Sequence, residues 1–335
     1  MTMSYQAYNK PPLPKRSPAE RKETGISNEI RKQMVPYWEE RRIALPEGVE
    51  KTFDTFTRRK IDMIREKVEA YDPRKLFFRP ELSHEDAGML AERMVAEGFD
   101  LEGGCSKQGG RWLGNEAASF LASEYDDAMS GGDVLVAIMD PDDETVALPL
   151  VIDVTTSQTE LDKKDIADRQ SLLEGKESRI YWTNPKGFDG TPEGRIPATH
   201  ASIFISREKV REFYNPDTPP EEAGKIMKDL RLSVVLQLRK SLQLHLLFLL
   251  NEVTNGDFQI KDVIRSRYQN EAELLDRAEE VYETRSLSPK RLQELQRICK
   301  QLRIISRPPL PVNPPDLRAA RVVISEIGPR FAPLA

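Results

Sequence analysis

The chain has 335 residues, of which 39% are hydrophobic and 31% charged, so its composition excludes the disordered class and is typical of a folded protein. The formal net charge of −5 is unevenly spread: residues 1–67 carry a net +5 and residues 285–335 a net +7, which leaves −17 for the middle. Basic ends around an acidic centre suit a protein that binds a polyanion and holds cations, although solvated faces and tails also produce this pattern.

The numbers of cysteines and histidines and the hydropathy pattern limit the kind of metal site and the location that the sequence predicts. Two cysteines and three histidines are too few for a Cys/His metal cage, so any metal site needs oxygen ligands. The first residues lack the apolar run of an export signal, which predicts a cytoplasmic protein. The leucine-rich stretch 242–250 is shorter than the roughly 20 apolar residues of a membrane span, which predicts a buried helix and no membrane association.

The N-terminal part of the chain is predicted to be helical after a mobile start. Helical spacing of apolar residues predicts helices over 47–70 and 84–97, the second with Ser83 as N-cap and Gly98 as terminator. The composition along the chain divides it into a disordered tail (1–18), an N-terminal helical region (19–110), an α/β core (111–215), a C-terminal helical region (216–306) and a Pro-rich tail (307–335).

The central region has the pattern of an α/β core. A helix is predicted over 115–129 and another over 158–173. Strands are predicted over 133–139, 146–155, 178–182 and 201–206, with the first two joined by a polar turn. The fold class predicted is α/β, with a small mixed sheet and extensive flanking helices.

Helices return in the C-terminal region, over 221–253, 260–284 and 289–302. One face of the first carries an apolar stripe at helical spacing: Leu230, Val234, Leu238, Leu242, Leu246 and Leu249. Such a stripe usually belongs to the core, and the alternative is a homodimer seam along the helix 221–253.

Two aspartates flank the predicted hairpin. If its turn is centred near residue 143, Asp133 lies directly opposite Asp153. Opposed residues of an antiparallel pair share one face with Cβ atoms about 5 Å apart, so two carboxylates meet at the open end of the hairpin. Their repulsion calls for a cation, and Mg²⁺ or Mn²⁺ favours such oxygen ligands. The alternative is that each Asp only terminates its strand.

Acidic and basic residues near the hairpin extend this candidate site. Glu124 and Asp127 end the helix predicted before it and are candidate metal ligands, with Glu116 two turns earlier. After the second strand come Lys163 and Lys164, and either can orient an attacking water or offset charge on a phosphate. The alternative is that both lysines are ordinary surface residues.

A helix with SEYDD, the strand GGDVLVAI, a hairpin, and LVIDVTTS followed by a helix with KK resemble the core of the PD-(D/E)XK nuclease superfamily, the restriction-endonuclease-like fold. The resemblance covers residues 115–206. It implies that a helix acid (Glu124 or Glu116), Asp133 and Asp153 bind a divalent metal and cleave phosphodiesters in DNA or RNA.

One position departs from the family pattern. Thr155 stands where the family's lysine belongs. Some members carry that lysine on the next helix, so the resemblance implies that Lys163 or Lys164 takes its role. The leading hypothesis is a metal-dependent nuclease whose basic ends, including Arg58, Arg59, Lys60 and residues 297–307, contact nucleic acid. The alternative is a catalytically inactive module of the same fold that acts in binding or assembly.

Overall fold

The computed structural model describes residues 25–70, 83–100, 112–113, 116–164, 178–183, 188–254, 271–284 and 287–307. The predicted disordered tail, most of the Pro-rich tail, and the helical predictions for 165–173 and 260–270 lie outside these residues.

Side-chain caps start the N-terminal helices α1 (Asn28–Glu39), α2 (Thr55–Glu69) and α3 (His84–Phe99). The caps are Ser27, Asp54 and Ser83, each of which accepts a backbone N–H of the first turn. A 3₁₀ turn, Val49–Thr52, precedes α2, so the helix predicted over 47–70 is interrupted.

The predicted terminator Gly98 lies within α3 and does not end it. Its role is steric, because a Cβ at Gly98 would come within 2.3 Å of the Trp112 ring. The prediction was wrong here because a glycine that admits a neighbouring ring looks, in sequence, like a C-cap.

Four of the described strands form one sheet in the order β1 (Ala117–Leu121), β2 (Val134–Met139), β3 (Ala147–Thr155) and β6 (Thr199–Phe204). Neighbours β1, β2 and β3 are antiparallel, whereas β6 runs parallel to β3. A second, two-stranded sheet pairs β4 (Arg179–Trp182) with β5 (Gly194–Pro197). The predicted α/β class with a small mixed sheet and flanking helices is confirmed.

The helix predicted over 115–129 is wrong in its first half, which forms β1, while the second half forms the short helix α4 (Glu124–Ser130). Every residue of β1 is buried, so the strand shows none of the alternation that marks a half-exposed strand. The strands predicted over 133–139 and 146–155 are confirmed to within one residue.

The two faces of the main sheet are covered by different elements. One face packs against helices in a large apolar cluster that runs from Trp38 of α1 through Leu90 of α3 and Ile152 of β3 into the C-terminal helices. The other face packs against the small sheet through Trp182 and its neighbours. Helices α1 and α3 before the sheet and the C-terminal helices after it therefore share one core with it.

The C-terminal helices are α5 (Arg207–Tyr214), α6 (Pro220–Val253), α7 (Glu271–Thr284) and α8 (Pro289–Ser306). All six members of the α6 stripe are buried within this single chain, so the core accounts for the stripe without a second copy. None of the described helices combines the length and apolar character needed to cross a membrane.

Candidate active site

The two candidate aspartates lie near each other at the end of the β2–β3 ladder. Val134 pairs with Ile152 in the register predicted from the turn, and this is the last pair of the ladder. Asp133 and Asp153 flank that pair, and the charge of Asp153 acts on Asp133. The Asp133 N–H donates to the Ile152 carbonyl at 3.1 Å, and Asp133 Oδ2 accepts the Val154 N–H at 2.6 Å. Both aspartates are buried, with 8% and 3% of their surface exposed.

Two glycines between α4 and β2 bring the backbone close to this pair. Gly131 ends α4 with a φ of +67°, a conformation that favours glycine, and a Cβ built there would lie 3.1 Å from Asp153 Oδ2. A Cβ at Gly132 would come within 2.4 Å of Val151. The sequence Gly-Gly-Asp is therefore what this tight link requires.

Of the two candidate lysines, the structure brings Lys164 to the aspartates. The Lys164 ammonium bonds Asp153 Oδ1, and its side chain is 32% exposed. Lys163 points to the surface, where its ammonium pairs with Glu160 at 2.7 Å. The helical residues 158–164 follow β3 directly, and they place one lysine at the site and the other outside it.

Glu92 of α3 is an acid of this site that the sequence analysis overlooked. Burial raises its pKa to about 7, and the nearby charge of Asp127 adds to the effect while Arg93 opposes it. Burial likewise raises the pKa of Asp133 well above its usual range, followed by the charges of Glu92 and Asp153. These acids interact strongly enough to destabilise each other's ionised forms.

Two buried arginines connect the acids into a network. Arg93 bonds both Glu92 and Glu39, and Arg42 bonds Glu39 at 3.0 Å and Asp127 at 3.1 Å. The Arg93 side chain is 1% exposed and that of Arg42 is 9% exposed. These pairs hold α1, α3 and α4 together beside the aspartates.

The charges of this network do not balance. Among the described residues it contains five carboxylates and three cations: Glu39, Glu92, Asp127, Asp133 and Asp153 with Arg42, Arg93 and Lys164. When all are ionised, the cluster has a net charge of −2. A buried excess of two negative charges is costly unless protons or a divalent cation compensate.

The remaining predicted site residues lie in other contacts. Glu124 pairs with Arg65 of α2, at 2.9 Å from its Nε, and Glu116 pairs with Arg307. Asp127 belongs to the network through Arg42, and its charge raises the pKa of Asp133. Thr155 Oγ1 accepts the Ser157 N–H at 3.2 Å, so it shapes the turn after β3 and supplies no cation.

The donor set fits a hard divalent cation in its chemistry. Asp133, Asp153 and Glu92 offer carboxylate oxygens, which Mg²⁺ and Mn²⁺ prefer, and Asp133 and Asp153 each commit one oxygen to the contacts above. Within the described part of the chain, no three His, Cys, Asp or Glu side chains converge closely enough to hold a metal ion as they stand. Lys164 and Arg93 occupy the carboxylates instead.

Comparison of the chain with protein-family models, with curated proteins and with solved structures finds no match.

Proposed function

We propose that the chain is a metal-dependent nuclease that cleaves phosphodiester bonds in DNA or RNA. The observation that carries this proposal is that Asp133, Asp153 and Lys164 lie close together beside the last pair of the β2–β3 ladder, where Lys164 bonds Asp153 and the charges of both act on Asp133. The helix acid that the resemblance calls for is assigned to Glu92, because α3 packs on β1, β2 and β3 while Glu124 bonds to Arg65. Lys164 takes the role of the lysine missing at Thr155.

The residues divide the chemistry between them. Asp133, Asp153 and Glu92 would hold Mg²⁺ or Mn²⁺, which when bound lowers the pKa of a coordinated water and neutralises charge on the scissile phosphate. The Lys164 ammonium orients the attacking water and offsets the charge that develops on the phosphate oxygens. Arg93 and Arg42 fix Glu92 and Asp127 in place.

The basic regions nominated for nucleic-acid contact differ in how they are used. In α8, Lys300 pairs with Asp140 and Asp142, and Arg303 pairs with Glu279. In α2, Arg58 and Arg59 are both exposed, so this helix offers the better polyanion contact. We therefore assign the contacts with the phosphate backbone of the nucleic acid to α2, which packs against α4 beside the site.

A cleavage assay tests the proposal. Single-stranded and duplex DNA and RNA are incubated with Mg²⁺ or Mn²⁺ and with wild type, Asp153→Asn or Lys164→Met. We expect metal-dependent cleavage that falls at least about 100-fold in both variants. Absence of cleavage with every substrate, or cleavage that survives Asp153→Asn, contradicts the proposal.

Matched control variants distinguish the loss of a site residue from the loss of a nearby surface charge. Lys163→Met removes the neighbouring lysine, which pairs with Glu160 away from the aspartates, and Asp162→Asn removes an exposed carboxylate of the same helical residues. Both variants should cleave like wild type.

A second candidate function is a catalytically inactive module of the same fold that acts in binding or assembly. The Lys164–Asp153 ion pair favours it, because an ammonium already compensates that carboxylate. This candidate predicts nucleic-acid binding that is unaffected by chelation of divalent metal, with no cleavage of any substrate.

A further inference from the structure

The exposed large apolar side chains of the described residues lie close together. They are Phe56 and Met63, 61% and 51% exposed on α2, and Met129, 39% exposed on α4. Helices α2 and α4 pack against each other. Since other large apolar residues in the described part of the chain are better covered, this is where a partner has the most apolar surface to gain.

One face of α2 combines these apolar residues with basic ones. Helical spacing from Phe56 places Arg59, Lys60, Met63 and Lys67 on the same side of α2, and we call these five residues the α2 stripe. The Lys60 ammonium lies 4.8 Å from the centre of the Phe56 ring. Thr57 and Ile61 are buried on a separate side of α2, which is its packing side.

The α2 stripe lies close to the candidate active site. Lys60 Nζ donates to the Ala128 carbonyl of α4 at 3.3 Å. One helical turn later, Gly131 adjoins Asp153, because a Cβ on Gly131 would lie 3.1 Å from Asp153 Oδ2. A chain molecule of a few units on the stripe therefore reaches the backbone segment that lies beside the aspartates.

We propose that the α2 stripe binds a single-stranded nucleic acid, with an unpaired base stacked on Phe56 and the phosphates beside it contacted by Arg59 and Lys60. The proposal rests on the proposed nuclease function for its link to cleavage, and it makes single strands the substrate class. Binding itself is measured without metal and is independent of that link.

Charge and shape favour this occupant over a protein partner. An apolar partner helix would cover Phe56 and Met63 but would also strip water from Arg59 and Lys60 without compensating them. A single strand presents flat bases and regularly spaced phosphates, which match an exposed ring flanked by cations. A duplex keeps its bases stacked on each other, so it offers Phe56 no free base face.

Fluorescence anisotropy in EDTA tests the proposal. Labelled single-stranded DNA, single-stranded RNA and a duplex of the same sequence are titrated with wild type, Phe56→Ala, Phe56→Trp and Arg59→Gln. We expect single strands to bind better than duplex, Phe56→Ala to weaken that binding about tenfold, and Phe56→Trp to retain it. Arg59→Gln should weaken binding and reduce its salt dependence.

Arg277→Gln is the matched control, since Arg277 lies on α7, is 55% exposed and pairs with Glu280; this variant should bind like wild type. Binding of single strands that is equal in wild type and Phe56→Ala, preference for duplex, or no binding at all overturns the proposal, and the last result leaves the stripe to a protein partner. If binding depends on Phe56 but no substrate is cleaved, the proposal that the α2 stripe binds single strands is supported, and only the proposed nuclease function is contradicted.

Discussion

The Lys164 ammonium bonds the Asp153 carboxylate directly, although eleven positions separate them in the chain. The burial of Asp153 and the half-buried state of Lys164 strengthen this attraction, and they make Lys164 a competitor of any cation at the same carboxylate. Catalysis and cation binding should therefore respond differently to loss of the lysine.

Lys164→Met should lower cleavage at least about 100-fold while leaving affinity for Mn²⁺ unchanged or raised. The variant removes a positive charge beside the carboxylates, so a bound cation is opposed by one charge fewer. Mn²⁺ titration and single-turnover cleavage of the same samples measure the two effects. A parallel loss of both would show that Lys164 only supports the fold of the site.

Asp133→Asn should stabilise the protein in the absence of metal, by on the order of 1 kcal/mol at pH 8. The substitution removes one of five crowded carboxylates, and an asparagine oxygen can still accept the Val154 N–H. Urea unfolding in EDTA measures the change, with the exposed Asp162→Asn as control. A destabilised Asp133→Asn variant would mean that repulsion among these acids is unimportant.

Asp126 should make stability fall as pH rises from about 4 to about 6. Burial raises its pKa to about 6 from the usual 3.8, while hydrogen bonds from Ser123 and Tyr181 oppose this shift. The folded protein thus holds a proton that the unfolded chain releases in this range, so the free energy of unfolding drops by up to about 3 kcal/mol.

Asp126→Asn should remove this part of the pH dependence. The difference in unfolding free energy between variant and wild type, measured in urea at pH 4, 5, 6 and 7.5, isolates Asp126 from other acids. We expect the variant to gain relative stability with rising pH up to about 6. A difference that is constant across these values would contradict the assigned pKa.

Leu242→Ala should lower the free energy of unfolding by about 2–5 kcal/mol, because Leu242 is fully buried in the α6 stripe within one chain. Unfolding of the wild type should not depend on protein concentration. If unfolding of the wild type depended strongly on protein concentration, and if Leu242→Ala abolished a dimer mass measured in solution, the stripe would be a homodimer seam instead.

The hairpin at the centre of the site was predictable from local chemistry. A polar turn between two apolar runs fixes the register once its centre is known, and the observed pairing of Met139 with Ala147 follows the predicted one. The sequence alone could not show which of Lys163 and Lys164 belongs to the site. Which of two adjacent lysines faces Asp153 depends on how the helical residues 158–164 rotate after β3.

Glu92 escaped prediction because its role depends on tertiary packing. In sequence it is one acid in a packing helix, and its partners Glu39, Arg42 and Asp127 come from other elements. A weak signal was present: Glu92 and Arg93 sit among the apolar residues of α3, and charged residues in a buried helix need buried partners. Strand β1 escaped because full burial removes the alternation that identifies strands.

Mn²⁺ binding, measured by electron paramagnetic resonance of the free ion, tests the central claim most directly. Wild type, Asp133→Asn, Asp153→Asn and the control Asp162→Asn are titrated at equal protein concentration. The account predicts one Mn²⁺ per chain in wild type and the control, with affinity lowered at least about tenfold in each site variant. Equal binding in all four proteins, or no binding by wild type, would contradict it.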